Sequence, residues 1–231
     1  MEKQYCTAIV LAAGSGKRMG TKTHKQYLLI GGRPVLYYSL KAFQDSDLID
    51  DIILVTGGGE EEYCRETIVE KYHMTKVTRI IPGGKERYES VWKGLQEAKR
   101  TGYTFIHDGA RPFVDDGMIR RAYESVCEHR ACVAGMPAKD TIKVVDEGGV
   151  VVDTPDRSRL WIVQTPQVFE TGLIFRAYER LISEGVTTAT DDAMAVEKML
   201  GFPVHMFEGS YENIKITTPE DLETAEVFLR K

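Results

Sequence analysis

The stretch Ile9-Val10-Leu11-Ala12-Ala13-Gly14-Ser15-Gly16-Lys17-Arg18-Met19-Gly20, followed by Lys25-Gln26, decides how the rest of the chain is read. The apolar run from Thr7 to Leu11 predicts a short buried strand that breaks into a loop of small residues carrying cations. Small residues let the backbone approach a ligand closely, and successive N–H groups can cradle phosphate oxygens. Arg18 and Lys25 add positive charge beside such a loop. The alternative is a glycine-rich turn with solvated basic residues. Two better-known phosphate loops are excluded by register. The dinucleotide fingerprint needs a glycine where Met19 stands, which disfavours a nicotinamide dehydrogenase. The P-loop needs a glycine five residues after Gly14 or Gly16, and neither has one.

With 231 residues the chain has room for one α/β domain with an excursion, or for two small domains. A hydrophobic content of 42% with 28% charged residues is that of an ordinary globular protein. The formal net charge of −5 argues against nucleic-acid binding, so an anionic ligand would need a local cationic cluster against the global sign. Cys6, Cys64, Cys127 and Cys132 are scattered without a C-x-x-C pair, which suggests neither zinc nor a disulfide framework and fits reduced thiols in the cytoplasm. Met1-Glu2-Lys3-Gln4 lacks the layout of a signal peptide, and no apolar run reaches membrane-spanning length.

Strand signals at 8–11, 51–55, 77–81, 103–107, 132–136 and 204–207 alternate with helical spacing at 35–43, 60–71, 90–98 and 118–128. That alternation predicts a mostly parallel sheet covered on both faces, with ligands bound outside the carboxyl ends of its strands. The loop after the first strand and the tract His107-Asp108-Gly109-Ala110-Arg111-Pro112 would then share one edge. Residues 139–155 break the pattern: two β-branched runs flank Gly148-Gly149, a hairpin signal. A hairpin arriving late in a parallel sheet is expected to project as an arm and to pack on a second subunit, unless it folds back on its own domain.

Asp108, just past a buried strand, could hold Mg²⁺, which needs few protein ligands when phosphates supply the rest; the alternative is an Asp that caps the next turn. His107 reads as a packed strand-end residue, since no second His or Cys stands at ligand spacing. Thr154-Pro155-Asp156-Arg157-Ser158-Arg159-Leu160-Trp161 and Gln164-Thr165-Pro166-Gln167 offer cations and hydroxyls suited to a phosphate monoester, or a solvated arginine-rich loop. Asp191 and Asp192 read as cap and first-turn residues of a helix. Residues 213–222 read as a strand, a Thr cap and a helix with Pro219 at its first position, and Lys215 within that strand calls for an anionic partner. No Ser/His/Asp, Cys/His or paired-carboxylate arrangement stands out, so the inventory suits phosphoryl or nucleotidyl transfer, where positioning and charge neutralisation dominate.

Taken together, LAAGSGKRM with KQYL, GGKERYESV, HDGARPF, KDTIK, TPDRSRLW, QTPQVF, TDDA and NIKITTPEDL resemble the cytidylyltransferases that make 4-diphosphocytidyl-2-C-methyl-D-erythritol in the non-mevalonate isoprenoid pathway. The resemblance runs nearly the whole length. It implies a Rossmann-like single domain over 1–231, a protruding β-arm over 139–155, a homodimer formed through that arm, and Mg²⁺. The implied substrates are CTP and a sugar-alcohol phosphate, 2-C-methyl-D-erythritol 4-phosphate. By position in the motifs, Arg18 and Lys25 fall on the pair that stabilises α-phosphate charge. Ala13, Gly14, Gly84, Lys85, Ser90 and Gly109 fall on CTP-binding positions, with Asp108 at the metal position. Arg111, Thr141, Arg157, Thr165 and Lys215 fall on substrate-phosphate and catalytic positions, Thr141 and Arg157 reaching a neighbouring subunit's site. Two departures stand out: His24 replaces the usual Pro, which is expected to loosen the loop presenting Lys25, and Gly109 replaces the commoner Ala, a change that only removes a methyl. A ribitol-5-phosphate cytidylyltransferase is the nearest rival, against which stand Ala12-Ala13-Gly14, Gly109-Ala110 and Asn213-Ile214-Lys215. A non-catalytic nucleotide-binding module is the rival from another class.

Overall fold

The computed structural model describes residues 3–14, 24–99 and 102–230. In chain order its elements are β1 (Cys6–Ala12), β2 (Leu29–Ile30), β3 (Arg33–Pro34), α1 (Val35–Asp45), β4 (Asp51–Thr56), α2 (Glu61–Cys64), β5 (Val77–Pro82), α3 (Arg87–Glu97), β6 (Tyr103–Asp108), α4 (Asp116–His129) and β7 (Ala131–Pro137). There follow β8 (Val144–Val145), β9 (Val151–Asp153), β10 (Trp161–Glu170), α5 (Thr171–Ser183), α6 (Asp192–Leu200), β11 (His205–Glu208) and α7 (Pro219–Phe228).

Seven strands form one sheet in the order β11-β7-β10-β6-β1-β4-β5. β6 lies at its centre, β1 is parallel to both β4 and β6, and only β10 runs antiparallel to its neighbours. Because successive strand residues point to opposite faces, each central strand feeds two cores. Ala8, Val10, Ile52, Leu54 and Phe105 pack with Leu40 and Phe43 of α1 and Met118, Ala122 and Val126 of α4. Ile9, Ile53, Val55 and Ile106 pack with Val91 and Leu95 of α3, Leu173, Ile174 and Tyr178 of α5, and Val196 of α6. Each fully buried branched or aromatic side chain is worth about 1.5–3 kcal/mol, so this two-sided packing holds the strand ends rigidly in register. A third cluster, of Ile30, Val35, Ile216 and Ala225, fastens α7 and the segment before it beside that edge.

The segment at 144–153 is a short hairpin, β8 against β9, with Gly149 at φ +80° in its turn. Its valines are exposed, from 44% at Val144 to 63% at Val150, so it stands off the body as an arm. The strands expected from sequence form within a residue or two of their places, with two differences. β10 carries a register shift between Val163 and Gln167, and this bulge lets Pro166 sit inside a strand that the sequence presents as a turn. The expected strand at 213–216 is extended chain without a ladder, held through Ile216 N–H donating to Ala110 O at 2.8 Å.

A Cβ added at Gly102, which enters β6 at φ +86°, would collide with the Tyr5 carbonyl oxygen, which already accepts from Tyr103 N–H at 2.8 Å. Gly149 has a similar φ but open space around it. Urea unfolding should therefore show Gly149→Ala losing about 1 kcal/mol, the cost of left-handed backbone alone. Gly102→Ala, which adds a backbone collision, should lose more than about 3 kcal/mol. Equal losses would contradict this packing.

Candidate active site

The carboxyl ends of the parallel strands β1, β4, β5 and β6 converge on one edge. Gln26 Nε2 donates to Ala12 O at 2.6 Å and Lys25 Nζ to Ile216 O at 2.9 Å, which brings the turn at 25–27 against the end of β1 and the chain leading to α7. A cleft of about 160 Å³ opens there, lined among others by Ala13, Gly14, Lys25, Gly84, Lys85 and Ser90. A second, of about 310 Å³, runs along the other side between β6 and β10 and is lined by Arg111, Gln164, Thr165, Gln167, Thr190 and Asp191. Arg87, Asp108 and Lys215 line both.

Asp108 stands at this junction because β6 ends there, and its position is fixed from several sides. Its backbone N–H donates to Thr165 Oγ1 at 3.1 Å, across to β10. Arg87 Nε donates to Oδ1 at 3.2 Å and Lys215 Nζ to Oδ2 at 2.7 Å. Burial would raise the Asp108 carboxyl, but Arg87 and then Lys215 outweigh it and hold the group well below the usual carboxylate range. Arg111, fixed by Nη1 to Asn213 O at 2.7 Å, keeps a buried Nε without a partner among the described residues. Among those residues no three His, Cys, Asp or Glu side chains gather around one point. A divalent cation here would rest on Asp108 and on oxygens its ligand brings, a donor set that fits Mg²⁺.

Ten of the fourteen residues singled out from sequence line these clefts: Ala13, Gly14, Lys25, Gly84, Lys85, Ser90, Asp108 and Lys215 on the first, with Arg111 and Thr165 on the second. Arg18 lies outside the described residues. Gly109 is on neither wall: its N–H donates to Leu11 O at 2.8 Å, and a Cβ would stand 2.8 Å from Leu36 Cδ1, so a methyl here would displace the core rather than merely be added. Thr141 and Arg157 are exposed at the base of the arm, and Arg157 Nη1 donates to Lys139 O at 2.7 Å. His24 keeps φ −62°, the value a proline would impose, and its Nδ1 lies 2.6 Å from Glu60 Oε1. His107 is packed as expected, edge-on to Phe43, with Nε2 at 3.1 Å from Arg111 O and Nδ1 at 3.1 Å from Thr165 Oγ1.

Sequence reasoning placed Asp191 and Asp192 correctly as cap and first-turn residue of α6, but missed Arg87 and its pairing with Asp192. Asp191 is the cap of α6, accepting from Met194 N–H at 2.9 Å, whereas Asp192 turns inward to a bidentate pair with Arg87. The doubled acid was the available signal, since one carboxylate suffices to cap a helix.

A parallel α/β sheet with a small-residue loop, clustered cations and one carboxylate at its carboxyl edge defines a nucleotide-handling protein of the Rossmann-like class. The family described as IspD, 2-C-methyl-D-erythritol 4-phosphate cytidylyltransferase, matches residues 6–231, and the chain belongs to it. It is 50% identical over 225 residues to the 2-C-methyl-D-erythritol 4-phosphate cytidylyltransferase of Lachnospira eligens, covering 97% of this chain and 99% of that one. The enzyme of that name from Lachnoclostridium phytofermentans is 48% identical over 231 residues, covering 100% and 98%. Among solved structures, the 4-diphosphocytidyl-2C-methyl-D-erythritol synthase of Anaerococcus prevotii superposes with a TM-score of 0.86 at 31% identity, covering 98% of this chain and 96% of that one.

Burial lowers the His107 imidazole from 6.5 to about 4. The unfolded chain therefore takes up this proton first, and folded stability is lost as pH falls from about 6.5 to about 4. Denaturant unfolding at several pH values should show wild type losing up to about 1.4 kcal/mol per pH unit more than His107→Gln in that window. Parallel slopes for the two proteins would contradict a neutral buried His107.

Proposed function

We propose that this protein transfers the cytidylyl group of CTP to 2-C-methyl-D-erythritol 4-phosphate, releasing pyrophosphate and 4-diphosphocytidyl-2-C-methyl-D-erythritol. The observation that carries this reading is the junction: two adjoining clefts share Arg87, Asp108 and Lys215. CTP occupies the cleft beside the glycine loop, and the polyol phosphate the cleft beside β10. The acceptor phosphate is already anionic near neutral pH, so attack at the α-phosphorus needs no general base. The obstacle is repulsion between two phosphates. Lys25 and Arg18 offset charge growing on the α-phosphate, and Lys215 holds the acceptor phosphate close to it. Arg111 offers its unpartnered Nε to the same phosphate. Asp108 is the residue that would hold Mg²⁺, which when bound would supply Lewis-acid neutralisation of phosphate charge.

The reading extends to a homodimer. The arm's exposed valines, with Ile162 and Trp161 at its base 53% and 38% exposed, are apolar surface that a second copy would cover. Arg157 and Thr141, which line neither cleft of their own chain, would then serve the partner's acceptor phosphate. We also take the enzyme to act in the cytoplasm, in keeping with four free thiols; among the described residues no helix is long and apolar enough to cross a membrane.

Incubation with CTP and Mg²⁺, and either methylerythritol phosphate or ribitol 5-phosphate, should give pyrophosphate with the former acceptor. Release only with ribitol phosphate transfers the assignment to the rival acceptor, and release with neither overturns it. Lys25→Ala and Arg18→Ala should each lower kcat by roughly 10²-fold or more, as loss of a donor to developing charge does; near-normal turnover in both would remove their role. Arg157→Ala should raise KM for the polyol phosphate far more than for CTP, and a defect on the CTP side alone would contradict that placement.

A further inference from the structure

Arg87 stands in the wall shared by the two clefts, and its guanidinium makes three directed contacts. Nη1 and Nη2 donate to Asp192 Oδ1 and Oδ2 at 2.8 and 2.7 Å, and Nε donates to Asp108 Oδ1 at 3.2 Å. Asp192 has no exposed surface and lines neither cleft. It is fixed from two further sides. Tyr178 Oη donates to its Oδ1 at 2.5 Å, and its backbone N–H donates to Gln167 Oε1 at 3.0 Å. The planar fork is therefore locked by a carboxylate that no ligand touches, and its remaining edge is aimed at Asp108.

The two cations on Asp108 are not equivalent. Lys215 is a point charge on a flexible stem that can pass from a carboxylate to a phosphate, whereas a fork paired bidentately from behind cannot move without breaking that pair. The four charges, Arg87 and Lys215 against Asp108 and Asp192, cancel. When Lys215 turns to an incoming phosphate, one negative charge is left uncovered at Asp108 Oδ2, inside the junction, while Oδ1 stays tied.

We propose that Arg87, clamped by Asp192 and Tyr178, is the positioning residue that keeps Asp108 aimed into the junction while Lys215 passes from that carboxylate to a substrate phosphate. The inference rests on the cytidylyl-transfer reading of the same site and deepens it: Asp192, at the start of α6, becomes part of the machinery without touching a ligand.

Arg87→Lys keeps a charge but cannot bridge both carboxylates, and Asp192→Asn keeps the shape while removing the charge that clamps the fork. Both are measured per mole of folded protein for kcat, for KM of CTP, and for Mn²⁺ affinity in the presence of CTP by electron paramagnetic resonance. In either variant kcat should fall roughly tenfold or more and Mn²⁺ should bind roughly tenfold more weakly, while KM for CTP moves less than about threefold. The double variant should be no worse than the poorer single one, because both substitutions break one chain of contacts. If one variant does not fold, the other decides. A lower Tm with kcat and Mn²⁺ affinity unchanged overturns the proposal, as does a wild-type protein that binds no Mn²⁺ with CTP. Weakened Mn²⁺ binding in the variants of a protein that releases no pyrophosphate would instead leave Arg87 in its role and remove the transfer reading.

Discussion

One carboxylate buried at the end of a strand sets the terms for the rest of this molecule. Asp108 is 8% exposed, and a charge so placed is tolerated only when its partners are close and well oriented. Those partners come from distant parts of the chain: Arg87 opens α3, Lys215 precedes α7, and Thr165 sits in the bulge of β10. Bringing them together requires β6 beside β1, the antiparallel return of β10, and the fastening of residues 214–216 under α7. The same charge arrangement that stabilises Asp108 places the Lys215 ammonium at the junction of the two clefts.

The two-sided core explains why the site can be stiff. Strands whose residues alternate between the α1–α4 core and the α3–α5–α6 core have little freedom to slide, so their carboxyl ends present side chains at fixed spacing. A chain carrying a net charge of −5 thereby concentrates Lys25, Lys85, Arg87, Arg111 and Lys215 around one edge. Local convergence, not global charge, makes an anion site.

Much of this was legible in the sequence, and the limits have physical causes. The apolar run into Ala13-Gly14, the strand–helix alternation, the packed His107 and the Thr218–Pro219 helix start are local signals, and they appear where expected; Thr218 and Asp221 form the reciprocal cap of α7. β10 was not legible, because Gln164-Thr165-Pro166 reads as a break and only its two neighbours make it a strand. α5, which carries Leu173, Ile174 and Tyr178 into the core, went unread despite its clear apolar stripe. Gly109 packs tightly against Leu36, a close approach that the motif does not announce. The Arg87–Asp192 pair spans 105 residues, and no local pattern announces which of two adjacent acids turns inward.

The most direct test is a structure with an unreactive CTP analogue and the polyol phosphate both bound. The acceptor phosphate oxygen should lie about 3–3.5 Å from the α-phosphorus, with Lys215 Nζ moved from Asp108 to that phosphate and Arg87 still paired to Asp192. Two phosphates held in separate regions, with the Lys215–Asp108 pair intact, would contradict the claim that this cluster brings the anions together.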